Sequence, residues 1–175
     1  VDDTIVLEYG TEESLDIIRS HAEEIAAVLV EPIQSRRPEF QPREFPLELR
    51  RITRDQGIIL VFDEVVTGFR IAPGGAQSFY GIEADLATYG KVVAGGMPIG
   101  VVAGREAVMN TFDGGHWQYG DDSFPGAGVT FFAGTFVRHP LVIAAAHASL
   151  THLIAEGPAL QERVSGVAAK FASEL

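Results

Sequence analysis

Three side chains in this sequence have the types and surroundings that chemistry requires. Asp63 and Glu64 stand side by side where the apolar run of "GIILVFDEV" (57–65) ends, and Lys91 follows "DLATYG" (85–90) among Tyr89, Gly90, Val92, Val93 and a Gly-Gly pair. On an extended strand neighbouring side chains point to opposite faces, so Asp63 and Glu64 cannot serve one substrate as an acid–base dyad unless the chain turns between them. Asp63 is placed either to cap the turn "VVTG" by accepting backbone N–H bonds or to meet a ligand, since ligands collect beyond the carboxyl ends of strands in open parallel sheets. A lysine in apolar surroundings is costly to bury unless its amine has a task.

What task is narrowed by spacing. A nucleotide phosphate loop needs Gly five residues before Gly90 and Ser or Thr after Lys91, and these places hold Asp85 and Val92. A lysine kept out of water forms Schiff bases with carbonyl compounds. Pyridoxal phosphate enzymes combine such a lysine with a carboxylate that keeps the cofactor's ring nitrogen protonated. Asp63 and Lys91, at the ends of two strands, supply that pair.

The elements that must position these residues follow from the hydrophobic pattern. Short apolar runs at 26–31, 57–65, 85–90 and 99–104 predict strands. The helix-period segment "TEESLDIIRSHAEEI" has acids in its first turn and a stripe of Leu15, Ile18 and Ala22. In "FPLELRRITRDQG", Pro46 suits the first turn, Leu47, Leu49 and Ile52 form the apolar side, and Gly57 is the stop. A short helix is expected over 105–112, then a long Gly-, Asp- and aromatic-rich loop, "DGGHWQYGDDSFPGAG", then an Ala-rich helix from Pro140 to Glu156 and another after Pro158. Alternating strands and helices predict an α/β fold with a mainly parallel sheet and helices on both faces.

Composition sets outer bounds. A net charge of −11 and a pI near 4.8 exclude a phosphate-backbone partner, so no nucleic acid is expected. No segment is long and apolar enough to cross a membrane. The sequence has no cysteine, so it has no disulfide framework and no thiolate metal site, which fits a cytoplasmic location. His147 and His152, five apart, share no helix face, so no metal site is expected. The opening "VDDTIVLEYG" has neither an initiator Met nor a signal-peptide pattern, and the chain is expected to be a piece of a longer one.

Taken together, "VLVEPIQS", "LVFDEVVTGFR", "DLATYGKVVAGGMPIG" and "FFAGTFVRHPL" resemble the class III aminotransferases, pyridoxal phosphate enzymes of fold type I. The resemblance runs over essentially the whole chain. Within the family, the chain resembles the branch of glutamate-1-semialdehyde aminomutases. It is closer still to aminotransferase domains of hybrid polyketide and nonribosomal peptide synthases, through "EPIQSRRPEFQP", "WQYGDDS" and "VTFFAGTFVRHP".

The resemblance implies that residues 1–175 are the central part of the cofactor-binding large domain, without the N-terminal phosphate cup and the C-terminal small domain. It implies pyridoxal 5'-phosphate as cofactor, Lys91 as its Schiff-base lysine, Asp63 at the pyridine nitrogen and Val65 against one ring face. Gly134 and Thr135 fall where the family binds the phosphate from the neighbouring subunit, which implies a homodimer. Two departures bear on specificity. Arg36 and Arg37 follow "EPIQS" where many relatives have an acid, and Val66 stands where several carry Gln.

The expected reaction moves an amino group from an amino-acid donor to a keto acceptor, a β-ketoacyl thioester on an acyl carrier protein. The enzymatic alternative is glutamate-1-semialdehyde aminomutase. A non-catalytic scaffold or dimerisation module is the alternative from another class.

Overall fold

The computed structural model describes residues 3–118, 120–124, 134 and 137–174. The four strands are β1 (Ala27–Val30), β2 (Ile59–Asp63), β3 (Leu86–Tyr89) and β4 (Val101–Gly104), hydrogen-bonded in the order β1-β2-β3-β4. The first three are parallel and β4 is antiparallel to β3. A parallel pair needs a crossover, and α2 (Glu44–Gln56) supplies one between β1 and β2, with α3 (Gly75–Tyr80) between β2 and β3. Between β3 and β4 there is only a 3₁₀ turn (Lys91–Ala94) and a glycine-rich stretch, so the chain folds straight back beside β3. The sheet is therefore mixed, mainly parallel, and flanked by helices.

The helices follow their end signals. In α1 (Glu12–Ser20) the Thr11 side chain accepts the Ser14 N–H at 3.2 Å, Glu12 and Glu13 occupy the first turn, and Leu15 and Ile18 are buried. α2 buries Phe45, Leu49 and Ile52 and ends at Gly57 in the left-handed conformation, φ 71°. Leu47, expected on that apolar side, is partly exposed, because two helical steps from Leu49 turn it about 200° away. Helices α4 (Glu106–Asp113), α5 (Pro140–Glu156) and α6 (Pro158–Ser173) complete the described chain.

Leu49 and Ile52 of α2 pack with Leu60 and Phe62, which are completely buried on one face of β2. Burying side chains of this size contributes about 1.5–3 kcal/mol each. The opposite face is more open, and Leu29 of β1 is 68 % exposed. A second cluster joins Val93 and Ala94 of the 3₁₀ turn to Val142 and Ala146 of α5. There the Ser149 hydroxyl donates to the Val92 carbonyl at 3.1 Å.

Asp85, at the entry to β3, cross-links four elements. Arg50 of α2 donates to both carboxylate oxygens at 2.7 and 3.2 Å, the Leu60 N–H of β2 donates at 2.8 Å, and Arg105 beyond β4 pairs at 2.9 Å. Burial works against its ionisation. The hydrogen bonds from Arg50 and Leu60 and the two guanidinium charges outweigh that and hold the carboxyl below the usual carboxylate range.

Candidate active site

Asp63 is the last residue of β2 and is paired in register with Thr88 of β3. Its Oδ1 accepts the Val65 N–H at 3.0 Å and the Thr88 hydroxyl at 3.3 Å. The turn-capping expectation holds at Oδ1, and among the described residues Oδ2 has no hydrogen-bond partner. A carboxylate fixed by one oxygen and open at the other is equipped to receive a cationic N–H.

Glu64 turns the other way, as strand geometry requires, and is 1 % exposed. Its carboxylate accepts the Thr67 hydroxyl at 2.6 Å, the Ala76 N–H at 2.8 Å and the Gln77 N–H at 3.0 Å. Gly75, at φ 65°, lies against that carboxylate where any Cβ would collide with it. The two neighbouring acids thus have separate tasks: Asp63 faces outward at the end of the strand, and Glu64 anchors the start of α3. Sequence reasoning excluded the dyad and missed the anchor. The glycine pair at 74–75, ten and eleven residues downstream, was the one available signal.

Lys91 lies three residues beyond Thr88, the register partner of Asp63, so both leave the sheet at the same end. Its backbone is left-handed, φ 43°, a conformation that costs a non-glycine residue roughly 1–3 kcal/mol and survives only where the surroundings enforce it. Among the described residues its amine has no ion-pair partner, in a chain of net charge −11. The expected desolvation is not found, because Lys91 is exposed. Lys91 opens the 3₁₀ turn beyond β3, and of that turn only Val93 and Ala94 are buried. Lys91 instead borders an open cleft of about 800 Å³ with Arg70, Met97, Ile99, Ser149 and His152. His152, expected to be an ordinary helix residue, is thereby brought to the cleft edge.

Val65 follows directly. Its methyl groups lie 3.5 and 3.8 Å from where a Cβ on Gly90 would sit, so it presents apolar surface beside the residue preceding Lys91. Gly134 engages its own turn, accepting the Val137 N–H at 3.1 Å. Thr135 lies outside the described residues. Glu31 accepts the N–H and hydroxyl of Ser35 at 3.1 and 3.4 Å, a turn-capping role. Arg37 pairs with Glu8 at 3.7 Å and lies over the Phe40 ring. Among the described residues no group of three or more His, Cys, Asp or Glu could hold a metal, and no helix is long and apolar enough to cross a membrane.

The side chains suit a planar aldehyde with a basic ring nitrogen: a primary amine with no ion-pair partner among the described residues, a carboxylate with one oxygen committed, and the Val65 methyl groups beside Gly90. Comparison with known proteins agrees. Residues 6–175 match the family model for class-III aminotransferases. Glutamate-1-semialdehyde 2,1-aminomutase of Alkaliphilus oremlandii is 37% identical over 175 residues, covering 99% of this chain and 38% of that protein. The same enzyme from Hyperthermus butylicus is 41% identical over 149 residues, covering 84% and 32%. Among solved structures, a β-phenylalanine aminotransferase from Variovorax paradoxus superposes with a TM-score of 0.76 at 37% identity over 94% of this chain and 36% of that one. A transaminase with PLP bound gives a TM-score of 0.73 at 34% identity over 87% and 34%. The chain spans about a third of the length of these relatives. It belongs to the class III aminotransferase family.

Proposed function

We propose that this chain carries the lysine and the ring-nitrogen carboxylate of a pyridoxal 5'-phosphate enzyme that transfers amino groups. The observation that carries the reading is the placement of Asp63, half-committed through Oδ1, and of left-handed Lys91, without an ion-pair partner among the described residues, at the same end of two adjacent parallel strands. When bound, the cofactor supplies an electron-withdrawing ring that stabilises negative charge on the substrate carbon. Lys91 Nζ would hold the cofactor's aldehyde carbon, and when free would accept and return the proton at the substrate carbon that bears nitrogen. Such proton transfer by a positioned side chain contributes roughly 10²–10⁴ in rate. Asp63 would hold the ring nitrogen and keep its positive charge, and Val65 would bound one ring face. Gly134 and Thr135 would bind the phosphate of the cofactor held by a second copy of the chain, so the working unit would be a dimer.

For the substrate, the curated relatives favour the aminomutase reading, in which the nitrogen returns to the same molecule. The transaminases among the structural neighbours support intermolecular transfer. No relative named above is described as acting on a carrier-bound thioester, and that finer reading rests on the sequence motifs alone. The test begins with the full chain and added pyridoxal phosphate. A visible absorption band should develop, and borohydride should bleach it and fix the cofactor on Lys91. A protein that stays colourless, or a Lys91→Ala variant that turns over normally, sinks the reading. Glutamate 1-semialdehyde, offered against an amino donor with a β-ketoacyl thioester, then separates the two substrate classes.

A further inference from the structure

The left-handed backbone at Lys91 raises the question of what enforces it. The residue before Gly90 is Tyr89, whose ring is wedged against Phe69, centroids 5.4 Å apart, and against Gly68, where a Cβ would come within 2.7 Å of the ring. Its hydroxyl accepts a hydrogen bond from Gln77 Nε2 at 3.1 Å. The orientation of that amide is set by chemistry: Gln77 Oε1 accepts the Ala84 N–H at 3.0 Å, and a backbone N–H can only donate. The Gln77 backbone N–H is in turn bound by the buried Glu64 carboxylate, while the Glu64 N–H donates to the Thr88 carbonyl at 2.9 Å. The Thr88 hydroxyl completes the circuit at Asp63.

We propose that Glu64, Gln77 and Tyr89 form a positioning relay that clamps the exit of β3, holding the Lys91 backbone in its left-handed conformation and in fixed relation to Asp63. The proposal rests on the cofactor reading above. The relay explains why a carboxylate is buried beside the open one. Asp63 is free to face a ligand, and Glu64 keeps α3 in place so that Gln77 can reach Tyr89. None of the three is a catalytic residue, since none is placed to touch substrate.

Tyr89→Phe removes only the hydroxyl. In the full chain without cofactor, amide exchange at 90–95, where Val93 and Gly95 donate to Gly90 and Val92, should rise about fivefold, the worth of one net hydrogen bond. The thermal midpoint should fall by no more than the few degrees that one hydrogen bond accounts for. With pyridoxal phosphate added, borohydride should fix cofactor on Lys91 about fivefold more slowly. Lys170, the only other lysine of the chain and exposed on α6, reports the background.

Gln77→Glu, which can accept from both the Tyr89 hydroxyl and the Ala84 N–H, should restore parental values, and Gln77→Leu should not. Parental exchange at 90–95 in Tyr89→Phe overturns the proposal. So does a fall in the thermal midpoint far beyond a few degrees, which marks a general loss of stability. If Tyr89→Phe does not fold, equal exchange at 90–95 in Gln77→Glu and Gln77→Leu overturns it. A parent that takes up no cofactor defeats the functional reading, and the exchange data still judge the clamp.

Discussion

Two buried carboxylates sit at opposite ends of the same pair of parallel strands and are treated differently. Asp85, where β3 begins, is neutralised by Arg50 and Arg105 and also bound by a backbone N–H. Glu64, just past the end of β2, is served by one hydroxyl and two backbone N–H groups, with no salt-bridge partner among the described residues. An ion pair locks whole elements together, so Asp85 ties α2 to the sheet. A cage of neutral donors fixes one loop without bringing a cation of its own to the end of the sheet where Asp63 and Lys91 emerge. One end is built for cohesion and the other for placement.

The largest expected effect breaks the cohesive end. Asp85→Asn leaves buried Arg50 without its counter-charge and should cost about 3–5 kcal/mol in urea unfolding. Asp63→Asn should do the reverse, lowering kcat of the cofactor-loaded protein about 10²–10³-fold with an unchanged thermal midpoint, because the amide can still cap the Val65 N–H. A large loss of stability in that variant would erase the distinction between the two ends. Glu64→Gln turns one acceptor into a donor facing donors and should cost about 1–3 kcal/mol, less than Asp85→Asn because no cation is stranded.

The smallest effect is on acid sensitivity. The folded-state pKa of Asp85 is depressed, so its stabilisation is fully present above the unfolded value of about 3.9 and is lost as pH falls through the folded one. The parent's stability advantage over Asp85→Asn should therefore shrink as unfolding is measured below about pH 4.

Much of this was legible in sequence. The runs at 26–31, 57–65, 85–90 and 99–104 contain β1 to β4, since a short apolar run bounded by turn residues has few other uses. Asp63 and Lys91 could be singled out by type and place. What escaped was what depends on contacts distant along the chain. The helix at Gly75–Tyr80 is six residues long and begins in glycines, which ordinarily mark a loop. Asp85 read as the start of a strand, because Arg50 lies 35 residues away and nothing local announces it. Leu47 was misplaced by counting apolar residues without following the helical angle. The exposure of Lys91 depends on the course of the turn beyond β3, which a sequence pattern does not report.

The backbone at position 91 carries an implication for engineering. Glycine adopts positive φ without penalty, so Lys91→Gly should yield a chain about 1 kcal/mol more stable than the parent and chemically inert. Selection for robustness alone would drift toward that replacement, so under the proposed function an amine retained there exchanges durability for reactivity.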